Sequence, residues 1–176
     1  MADTRTAPAN KAELLAHTEE RWRAFVTYTD ALSEAEWTQP TDAAGWSVKD
    51  HVAHVVLWVR TEIALLRHGT PMQKSLGISD AVWNARWNAG DFDPINEEIR
   101  QQTIDDSPAA VRDERDRVFR KLVEVVSRFS DDDLARPAND FGLAEEGKSL
   151  LAVLTEYHGD HFEEHRGYID IIVAQG

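Results

Sequence analysis

Cysteine is missing from this chain of 176 residues. Its absence excludes disulfides, a thiolate nucleophile and any zinc or iron–sulfur site built on sulfur. A bound metal would depend on His, Asp and Glu. Long apolar runs are missing too. None approaches the ~20 residues that a membrane-spanning helix needs, so no membrane is expected among the partners. Met1 to Asn10 holds no apolar stretch of the kind a secretory leader carries. Residues 1–10 read as a disordered tail ahead of a single domain, 11–176, and a cytoplasmic location is expected. Basic residues are few, 19 against 32 acidic ones, for a formal charge of −13. They form no cluster. Such a surface repels phosphate backbones, so the expected partners include no nucleic acid. Strand signals are also weak, because Val and Ile recur at intervals of three and four rather than two.

Helical spacing is what the chain does have, and it predicts an all-α fold. A first long helix runs from about Lys11 to Leu32, with Leu14, Thr18, Trp22, Phe25 and Thr29 on one stripe. A second follows Trp46. Ser47 and Asp50 form a capping-box pattern, and Gly69 is a natural stop. Its apolar residues spread over more than one face, which predicts the most buried helix of the set. A third opens at Ser107-Pro108 and continues through Val111, Val118, Leu122 and Val125. The last runs from about Lys148 to Val173. The segment after the first helix, Leu32-Ser-Glu-Ala-Glu-Trp, is echoed after the third by Phe129-Ser-Asp-Asp-Asp-Leu. Thr70 to Asp106 is too long for a tight bundle loop and reads as a crossover with one or two short helices. Such a crossover lets the second and third long helices run parallel, as in a four-helix bundle.

Seven histidines occur. The last helix carries His158, His161 and His165, and the second carries His51 and His54. His161 and His165 stand four apart, so both rings share the core-facing side. His54 lies on the heavily buried helix. Placed opposite that pair, it completes three nitrogen donors with one coordination position left open, the arrangement of a catalytic metal site. His158 shares the same face and is an alternative to His165. It also joins His51 as a candidate catalytic proton shuttle or an outer partner of the ligands. A structural reading stands beside this one, because an inward histidine is often only a hydrogen-bonded core residue. Asp160, Glu163, Glu164 and Arg166 are expected to point mostly away from the site, and His17 and His68 to lie on the surface. Trp58, Tyr157, Trp83, Asn84 and Trp87 are candidate pocket residues. Gly159 and Gly167, inside the last helix, suggest close approach of a neighbour, so Gly167→Leu is expected to impair folding or dimerisation.

Two segments resemble the DinB/YfiT-like superfamily of four-helix-bundle proteins. They are Trp46-Ser-Val-Lys-Asp-His-Val-Ala-His54 and His161-Phe-Glu-Glu-His165-Arg-Gly-Tyr-Ile169. Lys11-Ala-Glu-Leu-Leu and the Leu32-Ser-Glu corner are similar to its ClbS/DfsB-like branch. Tyr168 stands where the family commonly has Gln. The resemblance implies an up-down-down-up bundle and favours His54, His161 and His165 as the ligands of a divalent metal, zinc first, with nickel or manganese as alternatives. It implies a small-molecule substrate and an enzyme in which the metal activates a low-molecular-weight thiol or water, as a thiol S-transferase or a hydrolase. The alternatives it implies are a ClbS/DfsB-like hydrolase or sequestering protein that protects against reactive electrophiles, and a stress-response bundle without catalysis. Members are often dimers, so a homodimer is among the expected states.

Overall fold

The computed structural model describes residues 7–175, apart from the side chains of residues 87 and 88. The fold is all-helical, and no strand occurs among the described residues. Nine α-helices are present among them: α1 (Lys11–Asp30), α2 (Glu34–Thr38), α3 (Val48–His68), α4 (Met72–Ser75), α5 (Asp80–Ala89), α6 (Asp93–Gln101), α7 (Pro108–Val126), α8 (Asp131–Ala135) and α9 (Leu150–Val173). The first six residues of the expected tail lie outside the described residues. Asn10 caps α1 by accepting from the Glu13 amide, and the Ala9 amide donates to the Glu13 carboxylate.

Four long helices carry the core, and their ends follow the cap chemistry of the sequence. Ser47 and Asp50 form a reciprocal capping box on α3, Gly69 ends that helix, and Ser107 caps α7 ahead of Pro108. Almost every residue of α3 from Val48 to Val59 is buried, because α7, α9 and α6 all pack against it. The echoed corners share one local structure. Ser33–Glu36 and Ser130–Asp133 each form a capping box, and Trp37 and Leu134 drop into the core. Trp22 of α1 stacks on Phe119 of α7 at 4.8 Å and meets Phe162 of α9 edge-on at 5.2 Å. Full burial of side chains of this size stabilises by about 1.5–3 kcal/mol each relative to exposure.

Polar pairs fix the helix directions. On α3 and α9, His51 meets His165 and Glu62 meets His158, so these two run antiparallel. On α1 and α9, Thr18 meets His158 and Tyr28 meets Asp170, so these run parallel. The crossover holds three short helices, α4 to α6, rather than one or two. Gly77 and Gly90 adopt positive φ, 71° and 65°, and break it where a side chain would be strained. Ile95 and Ile99 of α6 are fully buried. Lys49 of α3 donates to the Thr103 and Ile104 carbonyls, which pins the crossover over the bundle at the end where α3 begins.

Candidate metal centre

That end of α3 carries His51 and His54 directly against α9. One ring nitrogen from each of His54, His161 and His165 lies within 4.8 Å of the others, the one such group among the described residues. The His54 ring sits 4.6 Å from that of His165 and 5.5 Å from that of His161, and the α9 pair is 4.7 Å apart. His54 is only 4% exposed, and its Nδ1 has no hydrogen-bond partner. A buried nitrogen left without a partner is costly, and a cation shared with the neighbouring rings would remove that cost.

Burial, the largest cause in each case, lowers the basicity of all three rings. His54 and His165 fall well below the ordinary 6.5, helped by mutual repulsion with neighbouring histidines, and His161 falls to about 4. Neutral imidazoles with lone pairs available are what a metal needs. The donor set fits a divalent ion such as zinc or nickel.

His51 adds a relay behind this group. Its Nε2 faces Asp42 Oδ2 at 3.2 Å and its Nδ1 faces His165 Nδ1 at 3.0 Å. Burial lowers the His51 pKa, with Asp42 opposing. A carboxylate only accepts, so a neutral His51 donates from Nε2 to Asp42 and accepts at Nδ1 from His165. That leaves the lone pair of His165 on Nε2. Asp42 is itself held, because its Oδ1 accepts from the Ala44 and Trp46 amides. Outer hydrogen bonds of this kind orient metal-binding histidines.

His158 is placed elsewhere. It is fully buried, with Nδ1 against Thr18 Oγ1 and Nε2 against Glu62 Oε1, both at 2.9 Å. Both nitrogens are engaged, so it holds Glu62 in place, and it lines neither cavity described below. His17 departs from the expected surface position: it is half-buried and leans on Gly159, while His68 is exposed as expected.

The histidines open into a cavity of about 660 Å³. Trp58 lines it, together with Trp46, Phe92 and Tyr168, which sequence reasoning had not placed there. Tyr157 lines an adjoining cavity of about 360 Å³. Trp83 packs behind Trp58, with ring centroids 6.2 Å apart, and lines neither cavity. Asn84 is exposed and lines neither. The Trp87 side chain lies outside the described residues. Asp160, Glu163 and Glu164 are exposed, as expected, and Glu164 edges both cavities and Asp160 the smaller one. Asp42 and Trp46 were missed because they sit in a loop that carries no period. The Asp-x-x-x-Trp-Ser approach to the α3 cap was the available signal.

Fold and site together define a class, helical bundles with histidines converging in an interhelical cavity. Residues 17–169 match the family model of the DinB superfamily, and the chain belongs to that superfamily. No curated protein matches it. Its fold is similar to that of a Streptococcus pneumoniae protein solved by a structural genomics consortium, with a TM-score of 0.67 and 16% identity over 94% of this chain and 91% of that one. It is similar to an uncharacterised protein from Escherichia coli UTI89, with a TM-score of 0.65 and 15% identity over 96% and 95%. It is also similar to the colibactin self-resistance protein ClbS, solved in complex with double-stranded DNA, with a TM-score of 0.65 and 14% identity over 96% and 98%. This last structure overturns the exclusion of nucleic acid. Net charge averages over a whole surface, whereas a duplex needs only a local groove. No helix among the described residues is long and apolar enough to cross a membrane.

Proposed function

We propose that this chain is a divalent-metal-dependent enzyme in which His54, His161 and His165 hold the ion. A small-molecule thiol or water is the nucleophile, in an S-transferase-like or hydrolase-like reaction. The supporting observation is the convergence of three ring nitrogens within 4.8 Å at the wall of a ligand-sized cavity. When bound, the ion would supply Lewis-acid charge that lowers the pKa of a thiol or water at its open position. The chain's own residues do the rest. His51 and Asp42 hold the His165 ring and its tautomer, while Trp46 and Trp58 exclude water around His54. We read the four long helices as an up-down-down-up bundle, which the antiparallel α3/α9 and parallel α1/α9 pairings support.

Metal analysis by emission spectroscopy tests this reading. The purified protein should carry about one equivalent of transition metal, and His161→Ala should lose it. Wild-type protein that arrives metal-free and refuses added Zn²⁺ or Ni²⁺ defeats the proposal.

A second reading is protection against a reactive electrophile, by hydrolysis or sequestration. The aromatic walls of the cavity and the likeness in fold to ClbS support it. Replacing all three histidines decides between the two: protection that survives needs the cavity and not the metal. A labelled-duplex titration decides whether DNA binding extends from ClbS to this chain. Size-exclusion chromatography with light scattering decides between monomer and homodimer.

A further inference from the structure

His158 and Glu62 form a buried pair that the proposed chemistry leaves unused. Glu62 is 3% exposed and lies about two turns beyond His54 on α3, roughly 12 Å along the helix axis. Its Oε1 meets His158 Nε2 at 2.9 Å, the one hydrogen bond it makes among the described residues. Oε2 has no such partner, yet it is not among the fully enclosed polar atoms. Glu62 lines the smaller cavity, so Oε2 is the polar atom it presents there. A carboxyl group that only braced α3 against α9 would have both oxygens engaged, because buried oxygens without partners are costly.

The proton positions define what Oε2 can do. Thr18 Oγ1 donates to the Leu14 carbonyl at 2.8 Å. A hydroxyl has one hydrogen, so Thr18 accepts from His158 Nδ1 at 2.9 Å. Two lone pairs do not face each other at 2.9 Å, so one proton lies between Nε2 and Oε1. On nitrogen it makes an ion pair and on oxygen a neutral pair, and in both the pair has no net charge. In both, Oε2 carries no hydrogen and only accepts. Trp58, Val59, Met72, Phe92 and Tyr157 give the cavity apolar walls. The Tyr157 hydroxyl is engaged by Glu145, and Asp160 and Glu164 stand exposed at the edge.

We propose that the smaller cavity recognises a neutral hydrogen-bond donor, a hydroxyl or amide N–H carried on an apolar body, which donates to Glu62 Oε2. This names the substrate class of the site above and rests on the proposed function for the chemistry at the histidines. The two cavities share a wall of Trp58, Phe92, His161 and Glu164. A substrate anchored at Glu62 therefore extends past His161 toward the three converging rings. Because the pair has no net charge, it selects a donor by geometry and not a cation by its field. Glu62 is then a specificity-determining residue, with Thr18 and His158 deciding which oxygen is left free.

Calorimetric titration with 4-phenylbutanol and its methyl ether tests the proposal, because the ether lacks the donor. Wild-type protein should bind the alcohol about fivefold more tightly, as one neutral hydrogen bond allows. Glu62→Gln should keep the preference, since the new amide donates to His158 Nε2 and turns its carbonyl to the cavity. Glu62→Met, similar in shape but without the acceptor, should bring the probes within about twofold, with helical circular dichroism and metal content retained. Wild-type protein that binds neither probe, or both equally, overturns the proposal. So does a preference that survives Glu62→Met or vanishes in Glu62→Gln. Metal content of the same preparations reads the underlying function separately. Protein that holds zinc without preferring the alcohol refutes the Glu62 subsite alone. A preference that depends on Glu62 in protein that refuses Zn²⁺ supports the subsite and refutes the metal reading.

Discussion

Asp42 sets the proton arrangement of the site from a loop. Its carboxylate accepts from His51, which obliges His51 to accept from His165 and leaves one nitrogen of His165 free for a ligand. This predicts a measurable cost. His51→Phe keeps a ring to stack on Tyr168, now at 5.5 Å from His51, and removes both hydrogen bonds. Zinc affinity, measured by competition with a chromophoric chelator, should fall by about tenfold or more while the fold is retained. Unchanged affinity would mean that the relay is idle. At this scale the sequence revealed donors and concealed their supports. His161 and His165 announce themselves by a four-residue interval, but no interval links Asp42 to a ring nine positions away.

Single helices were legible where their caps were. Ser47, Asp50, Gly69, Ser107 and Pro108 act where their chemistry predicts. Helix α9 shows the limit. A Cβ at Gly159 would meet His17 Nε2 at 2.8 Å, so this glycine admits α1, as close approach required. Gly167 is exposed, and a Cβ there would meet nothing within 4 Å. The expectation that Gly167→Leu impairs folding thus has no basis in the chain's own packing. The two glycines should differ under one substitution. Gly167→Ala should stabilise by about 0.5–1 kcal/mol through helix propensity alone. Gly159→Ala should gain less or lose stability, because the His17 ring must move. Urea unfolding measures both, and a His17→Ala background should close the gap. An equal gain at both positions in the wild-type background would show that the His17 contact carries no strain.

Across the whole molecule, burying three imidazoles makes the metal-free protein sensitive to acid. Above pH 6.5 the rings are neutral in both folded and unfolded states. Below it the unfolded chain takes up protons that the folded rings refuse, so stability falls as pH drops through this range. For His161 the loss extends to about pH 4, and for His54 and His165 to well below 6.5. Chelator-treated protein should therefore melt lower at pH 5 than at pH 7, by roughly 5 °C or more. Replacing His161 with Phe should flatten that dependence. A melting temperature unchanged between the two pH values would contradict the burial of these rings.

The amino-acid order alone determined the helices, most of their caps, the inward face of α9 and the crossover's existence, because each follows from intervals of three and four or from neighbours within one turn. Tertiary structure alone decided which histidines meet, that His158 turns to Glu62 and Thr18, and that Glu164 and Asp160 border a cavity. Those outcomes depend on how α3 and α9 are set against each other and on what α4 and α6 cover. Contacts between segments a hundred residues apart leave no period in the chain.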